Sequence, residues 1–196
     1  MSELSQTDAS NLIEQMLEEP NDTKIQEFCC LGLADIAKND CNKIEVTHLG
    51  GIEVIILALK LHVENLSVQK AACEALNNLS YHNKENIIII PSDGGIHAII
   101  DAMKEHLCEA DLQVQALQAL YNLACNDENK YAILHKNGIE LIVHIMNKNR
   151  DNVHVQTVAC RTLRNMCYID DEIKLMSSSK GGIRAIVRAM NEHKSN

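Results

Sequence analysis

The side chains with the most chemistry to offer recur at fixed intervals. Asn78, Asn122 and Asn165 each stand nine residues after a glutamine (Gln69, Gln113, Gln156), and Asp35 takes the same place after Gln26. A carboxamide brings both a donor and an acceptor, the set that matches a main-chain amide. Asparagine is a poor helix former, so three of them in one register need a reason. The eight cysteines include no C-x-x-C pair, which leaves neither a redox motif nor a zinc knuckle. Cys30, Cys73 and Cys160 share one register position with Leu117, the mark of a core slot for a modest hydrophobe. His62, His106 and His193 also share a position, where a helix ends and an imidazole meets the last carbonyls and the negative end of the dipole. With at least one whole repeat separating each histidine from the next, they are not expected to form a metal site. There is no Ser-His-Asp order and no carboxylate pair in a distinctive setting. The Gly-Gly pairs have no strand before them, so they lack the context of a phosphate-binding loop. The expectation is a protein without a catalytic centre, metal or cofactor.

Composition narrows the field further. The chain has 196 residues, 46% of them apolar, and carries 18 Lys+Arg against 27 Asp+Glu for a net charge of -9. So acidic a chain is a poor candidate for phosphate backbones, which demand clustered cations. With aromatics at 3%, no Trp and one Phe, it also lacks the stacking platforms that hold single-stranded bases. No nucleic-acid partner is expected. The N-terminal ten residues are polar and acidic, unlike a signal peptide. The longest apolar runs, 52–61 and 87–90, fall well short of the roughly 20 residues that span a bilayer. Eight cysteines without a secretory signal suit a reducing compartment. The expected setting is the cytoplasm, with the nucleus open, and no membrane.

These residues are positioned by a repeat. Gly-Gly-Ile occurs at 50–52, 94–96 and 181–183, with Asn137-Gly138-Ile139 between, and the second glycines are 44, 43 and 44 residues apart. After each comes one helical stripe: Ile52, Ile55, Ile56, Leu59; Ile96, Ile99, Ile100, Met103; Ile139, Ile142, Val143, Met146; and Ile183, Ile186, Val187, Met190. Stepping back 43 residues from Ile52 gives Ala9, Leu12, Ile13 and Met16, with Thr7-Asp8 as the expected helix cap. A longer helix follows, opening on an aliphatic–Gln pair, with Leu seven residues after the Gln and another apolar residue three beyond it. A short apolar segment precedes each glycine pair and reads as a short helix. Each unit of 43–44 residues is therefore a short, a medium and a long helix. None can bury its stripe alone, so the units must stack as an all-α solenoid.

The register residues point to a known family. Gly-Gly-Ile before the second helix, together with VQKAACEALNNLS, VQALQALYNLA and VQTVACRTLRNMC, resembles armadillo repeats over residues 5–196. The resemblance implies a right-handed superhelix whose third helices line a concave groove for an extended segment of a partner protein. It also implies that Asn78, Asn122 and Asn165, with Asp35, hydrogen-bond the peptide backbone. One turn before them stand Glu74, Gln118 and Arg161, and three residues after stand Tyr81 and Tyr168, all candidate groove residues. Two readings of the Asn series stay open, peptide contact and a structural tie from a helix end to a neighbouring loop. For the tyrosines the alternatives are groove anchors and helix-end residues lying on the next repeat. Importin α carries Trp four residues before its Asn; this chain has none, so the ligand expected is not a basic cargo signal.

The units divide as a partial repeat at 1–40, full repeats at 41–84, 85–127 and 128–171, and a closing partial repeat at 172–196, in a single domain. The closing unit has no third helix to cover its stripe. Ile186, Val187 and Met190 are therefore candidate stacking residues, either for end-to-end self-association or for a longer parent chain. The function expected is a non-enzymatic protein-interaction module, with a stacking element of a larger assembly as the alternative.

Overall fold

The structure is a computed structural model that describes residues 6–168 and 171–194. In chain order its helices are α1 (Gln6–Glu18), α2 (Thr23–Ile36), α3 (Asp40–His48), α4 (Gly51–Leu61), α5 (Leu66–Ser80), α6 (Asn86–Ser92) and α7 (Gly95–Glu105). They continue as α8 (Ala110–Leu123), α9 (Asp127–His135), α10 (Gly138–Lys148), α11 (Val153–Met166), α12 (Asp171–Ser179) and α13 (Gly182–Glu192). Among the described residues there is no strand. The molecule is an all-α solenoid of stacked helices.

The turn chemistry that starts each second helix is visible at Gly94 and Gly95. Gly94 sits in the left-handed region at φ 88°, which costs a residue with a Cβ roughly 1–2 kcal/mol. The equivalent place before α10 is taken by Asn137 at φ 59°, asparagine being the residue that best tolerates this region after glycine. Gly95 is needed for a different reason: a Cβ there would lie 2.7 Å from the Ile90 carbonyl oxygen and against the Ile90 side chain. Other helix starts use side-chain caps, with Asn65 and Asn152 accepting from the main-chain N–H groups of Val68 and Val155. Thr7 and Asp8, expected to cap this helix, lie inside α1, which already includes Gln6, so Asp8 stands in the first turn, favoured by the dipole.

The stripes decide the packing. Ile52, Ile55, Ile56 and Leu59 are at most 2% exposed, as are Ile96, Ile99, Ile100 and Met103. They join one continuous aliphatic core running from α1 to α13. Third helices pack directly on third helices, α2 on α5, α5 on α8 and α8 on α11, while second helices pack on second helices. Cys30 and Cys73 are fully buried in this core and Cys160 partly so, as their shared slot with Leu117 predicts.

Buried carboxamides close the second helices. Gln26, Gln69, Gln113 and Gln156 each donate from Nε2 to two carbonyl oxygens at the end of the preceding second helix: Met16 and Glu19, Leu59 and His62, Met103 and His106, and Met146 and Asn149, all at 2.8–3.0 Å. A helix end leaves carbonyls without intrahelical partners, and these would be costly to bury unpaired. The histidines act differently from expectation. His62, His106 and His193 do stand at helix ends, but their Nε2 atoms reach the carbonyls of Pro20, Val63 and Arg150 in the preceding repeat, at 2.7–2.8 Å. They tie repeats together rather than satisfy their own helices. Among the described residues no helix is long and apolar enough to cross a membrane.

Candidate functional site

The third-helix face carries a cleft of about 350 Å³, lined by Asn77, Asn78, Tyr81, Gln118, Tyr121, Asn122, Val158 and Arg161. It crosses α5, α8 and α11, so three repeats build it together. Five of the expected groove residues meet there: Asn78, Tyr81, Gln118, Asn122 and Arg161. Of the other four, Asp35, Glu74 and Asn165 lie on the same helix series and Tyr168 follows its last described member, none of them lining the cleft. Asp35 instead holds Lys38 at 2.8 Å on the surface, an interaction that pushes the Lys38 ammonium pKa up. Tyr168 is 65% exposed just past α11.

The Asn series carries structural work in addition to any contact. Asn78 donates from Nδ2 to the Ala34 carbonyl at 2.9 Å, and Asn165 to the Tyr121 carbonyl at 2.8 Å. Asn122 reaches the Asn77 carbonyl at 3.2 Å and also the Asn77 side-chain oxygen and the Ser80 hydroxyl. Each acceptor carbonyl lies in the last turn of the preceding third helix, where carbonyls run short of intrahelical donors, although the Asn77 carbonyl also accepts from the Tyr81 N–H at 3.1 Å and the Ser80 hydroxyl at 3.0 Å. The tie therefore runs from helix to helix rather than to a loop. It occupies the amide hydrogens of Asn122 most completely, and that residue is buried.

Three cleft residues escaped the sequence reading: Asn77, Tyr121 and Val158. Asn77 and Tyr121 share the register position just before the Asn series, so asking what flanks that series would have found them. Asn77 bridges to the next repeat, its Nδ2 donating to the side-chain oxygens of Gln115 and Gln118, both at 3.0 Å. Arg161 lays its guanidinium over the Tyr121 ring, 5.3 Å from the centroid, in cation–π geometry. Tyr81 is half exposed, with its ring stacked on His82 and the ammonium of Lys43 5.3 Å from its centroid. Lys43 is itself buried, closing on the Asp40 carboxylate and on the Tyr81 carbonyl at 2.7 Å, which fixes the turn that carries the Tyr81 ring. The result is a polar and aromatic trough with the Arg161 guanidinium at its far wall. Among the described residues, no group of three or more His, Cys, Asp or Glu is gathered closely enough to hold a metal ion.

A stack of three-helix units with a cleft on its third-helix face defines the armadillo class of solenoid. Within it, the chain belongs to the LRRK2 ARM repeat family, whose sequence profile matches residues 22–196. None of the curated protein sequences matches it. Solved structures share the fold. An engineered protein from the Northeast Structural Genomics Consortium is 26% identical with a TM-score of 0.84, the match covering 96% of this chain and 74% of that one. A designed armadillo repeat protein in complex with the peptide (KR)4 is 18% identical with a TM-score of 0.81, covering 97% and 76%. The armadillo-repeats-only protein from Plasmodium falciparum is 20% identical with a TM-score of 0.71, covering 94% and 90%.

Proposed function

We propose that this protein is a non-enzymatic interaction module that holds an extended segment of a partner protein along its third helices. The observation that carries this reading is the cleft itself, in which Asn78, Tyr81, Gln118, Asn122 and Arg161 converge from three repeats. Its walls offer carboxamides to a main chain and aromatic faces to side chains, the mixture that anchors peptides at low entropic cost. The designed relative holds the cationic peptide (KR)4. Here Arg161 occupies the cleft wall and no tryptophan is present, so a segment with a carboxylate or neutral polar side chain at that point fits better than a basic one. Glu74, at the same register position two repeats earlier, would favour a cation at the opposite end, and Asp35, Asn165 and Tyr168 would extend the contact beyond the cleft. Eight free cysteines suit a reducing interior, and we place the module in the cytoplasm, with the nucleus open.

Selection from a display library of unstructured peptides on the immobilised chain tests this reading. Peptides so chosen should carry acidic or neutral polar residues and should lose binding to an Arg161→Glu, Tyr121→Ala chain whose circular dichroism is unchanged. Selected peptides that bind this variant equally well would remove the cleft as the site.

A further inference from the structure

The short apolar segment ahead of each glycine turn does more than fill the core. In α3, α6, α9 and α12 the residue seven before the second glycine of the turn is apolar yet exposed: Ile44 by 46%, Ile88 by 62%, Tyr131 by 38% and Leu175 by 73%. Two residues further on, Val46, Ile90 and Ile133 are buried, so the core is served without an apolar residue at the outer position. In α13, where the described stack stops, Val187 and Met190 are also exposed and Ile186 is half-buried. The first helices differ, because α6 and α9 each have a full unit on either side. Their outer residues share one repeat position and form a ladder along the first-helix edge. Cross-repeat bonds hold the rungs in register. The Thr47 hydroxyl donates to the Asn86 side-chain oxygen at 2.8 Å, and Asn129 donates from Nδ2 to the Ile87 carbonyl at 2.8 Å.

An acidic row runs beside the ladder. Glu85, Glu128 and Glu172 stand three residues before Ile88, Tyr131 and Leu175, one turn away on the same side, and all three are exposed. Nearby cations do not cancel the row. Lys43, Lys130 and Lys174 close on Asp40, Asp127 and Asp171, the first two from buried positions, and Lys84 lies in the turn before α6. The three glutamates therefore set the sign of this edge.

We propose that the first-helix edge is a second docking surface, which takes a basic amphipathic helix of a partner protein laid along the ladder. The occupant is helical because the main chain beneath the rungs already bonds within its own helices. An extended segment there would press its unpaired N–H and C=O groups on apolar side chains, which is costly, whereas a helix brings its groups already bonded. Packed helices stand about 8–10 Å apart. Seven residues of helix rise about 10.5 Å, so an apolar residue at every seventh position meets rung after rung. Lysines or arginines on one flank of that row face Glu85, Glu128 and Glu172. The same glutamates repel an anionic lipid surface. No rung and no glutamate of the row lines the cleft, so this surface stands apart from it.

The test uses the full chain and a synthetic peptide of about 22 residues, enough for four rungs at ~1.5 Å per residue. The peptide carries leucine at every seventh position, lysine four residues after each leucine, and alanine and glutamine elsewhere. Fluorescence anisotropy should show saturable binding that weakens as salt rises. An Ile88→Asp, Leu175→Asp chain should lose at least tenfold in affinity. A Glu85→Gln, Glu128→Gln, Glu172→Gln chain should lose about tenfold and show a flatter salt dependence. The Arg161→Glu, Tyr121→Ala chain, altered in the cleft, should bind this peptide as the parent does, which separates the two surfaces. All the ladder and row positions changed are exposed, and far-UV circular dichroism verifies that each chain is folded. No saturable binding, or full binding to the Ile88→Asp, Leu175→Asp chain, overturns the proposal. Equal binding of a peptide with glutamate in place of lysine does the same. A dimer in light scattering that this double variant dissolves overturns it by making a second copy the occupant. Capture of the parent, but not of the double variant, by phosphatidylserine vesicles overturns it in favour of a membrane.

Discussion

Asn165 donates its side-chain amide to the main-chain oxygen of Tyr121, 44 residues earlier, at 2.8 Å. The bond joins the last turn of one third helix to the next third helix and repeats at Asn78 and Ala34. The residue that resembles a peptide ligand's partner is thus also a rung between repeats. The Asn165 Nδ2 also reaches the Cys125 sulfur at 3.7 Å, so the side-chain oxygen is the atom it has to offer a partner. The third-helix face is thus held in shape by bonds between neighbouring repeats.

Replacing these asparagines should therefore cost stability. Each rung contributes on the order of 0.5–1.5 kcal/mol, set against a gain of a few tenths from alanine's better helix propensity. Asn122→Ala should be the most damaging of the three, because its amide serves the Asn77 carbonyl, the Asn77 side chain and Ser80 in a buried setting. Urea unfolding of the single variants checks the order. A triple variant as stable as the parent would show that the rungs are incidental.

The glycine turns make a sharper contrast. Gly94→Asn should be nearly neutral, since Asn137 holds the same place at φ 59°. Gly94→Ala should cost about 1 kcal/mol through the left-handed backbone. Gly95→Ala should cost more, about 3 kcal/mol, because its Cβ would press on the Ile90 carbonyl 2.7 Å away and on the Ile56 methyl at 3.2 Å, with little room to relax. Thermal melts of the three variants should fall in that order.

The stack was legible in the sequence because a stripe such as Ile52, Ile55, Ile56 and Leu59 writes its burial along one helix, and the glycines mark where each helix starts. The cleft was only half legible. Its walls come from neighbouring helices, so Asn77, Tyr121 and Val158 gain their roles from side-by-side placement that no single helix encodes. The same limit applies to His62. Its position at a helix end could be read from the sequence, but its acceptor, the Pro20 carbonyl, belongs to another repeat. Main-chain acceptors carry no residue signature, which is why the Asn rungs were open to two readings.

Thiol accessibility separates the core cysteines from the rest. Cys41, Cys108 and Cys125 are exposed, whereas Cys29, Cys30 and Cys73 are buried. Treatment with an alkylating agent at neutral pH should modify the exposed three within the first minutes. The buried three should react only when denaturant opens the stack. Mass spectrometry of digested protein identifies each site. Early modification of Cys73 would show that the core opens locally between α2 and α5.

The same burial makes stability depend on alkaline pH. Desolvation in the core pushes the Cys73 thiol from 9.0 up to about 12, and raises Cys30 as well, with Cys29 and Cys73 nearby adding to the effect. Above pH 9 the unfolded chain releases these protons while the folded chain keeps them. The unfolded state then binds fewer protons, so the stability slope with pH is negative. The stabilising contribution is complete below pH 9 and is lost as pH rises toward 12, at up to about 1.4 kcal/mol per pH unit for each thiol. Denaturant midpoints measured from pH 7 to 11 should be level at first and then fall. A Cys30→Ala, Cys73→Ala chain should start lower, because each change leaves a small cavity, but should decline more gently above pH 9. Cys41→Ala, at an exposed thiol, should follow the parent throughout. A double variant with the parent's slope would assign the alkaline loss to groups other than these two thiols.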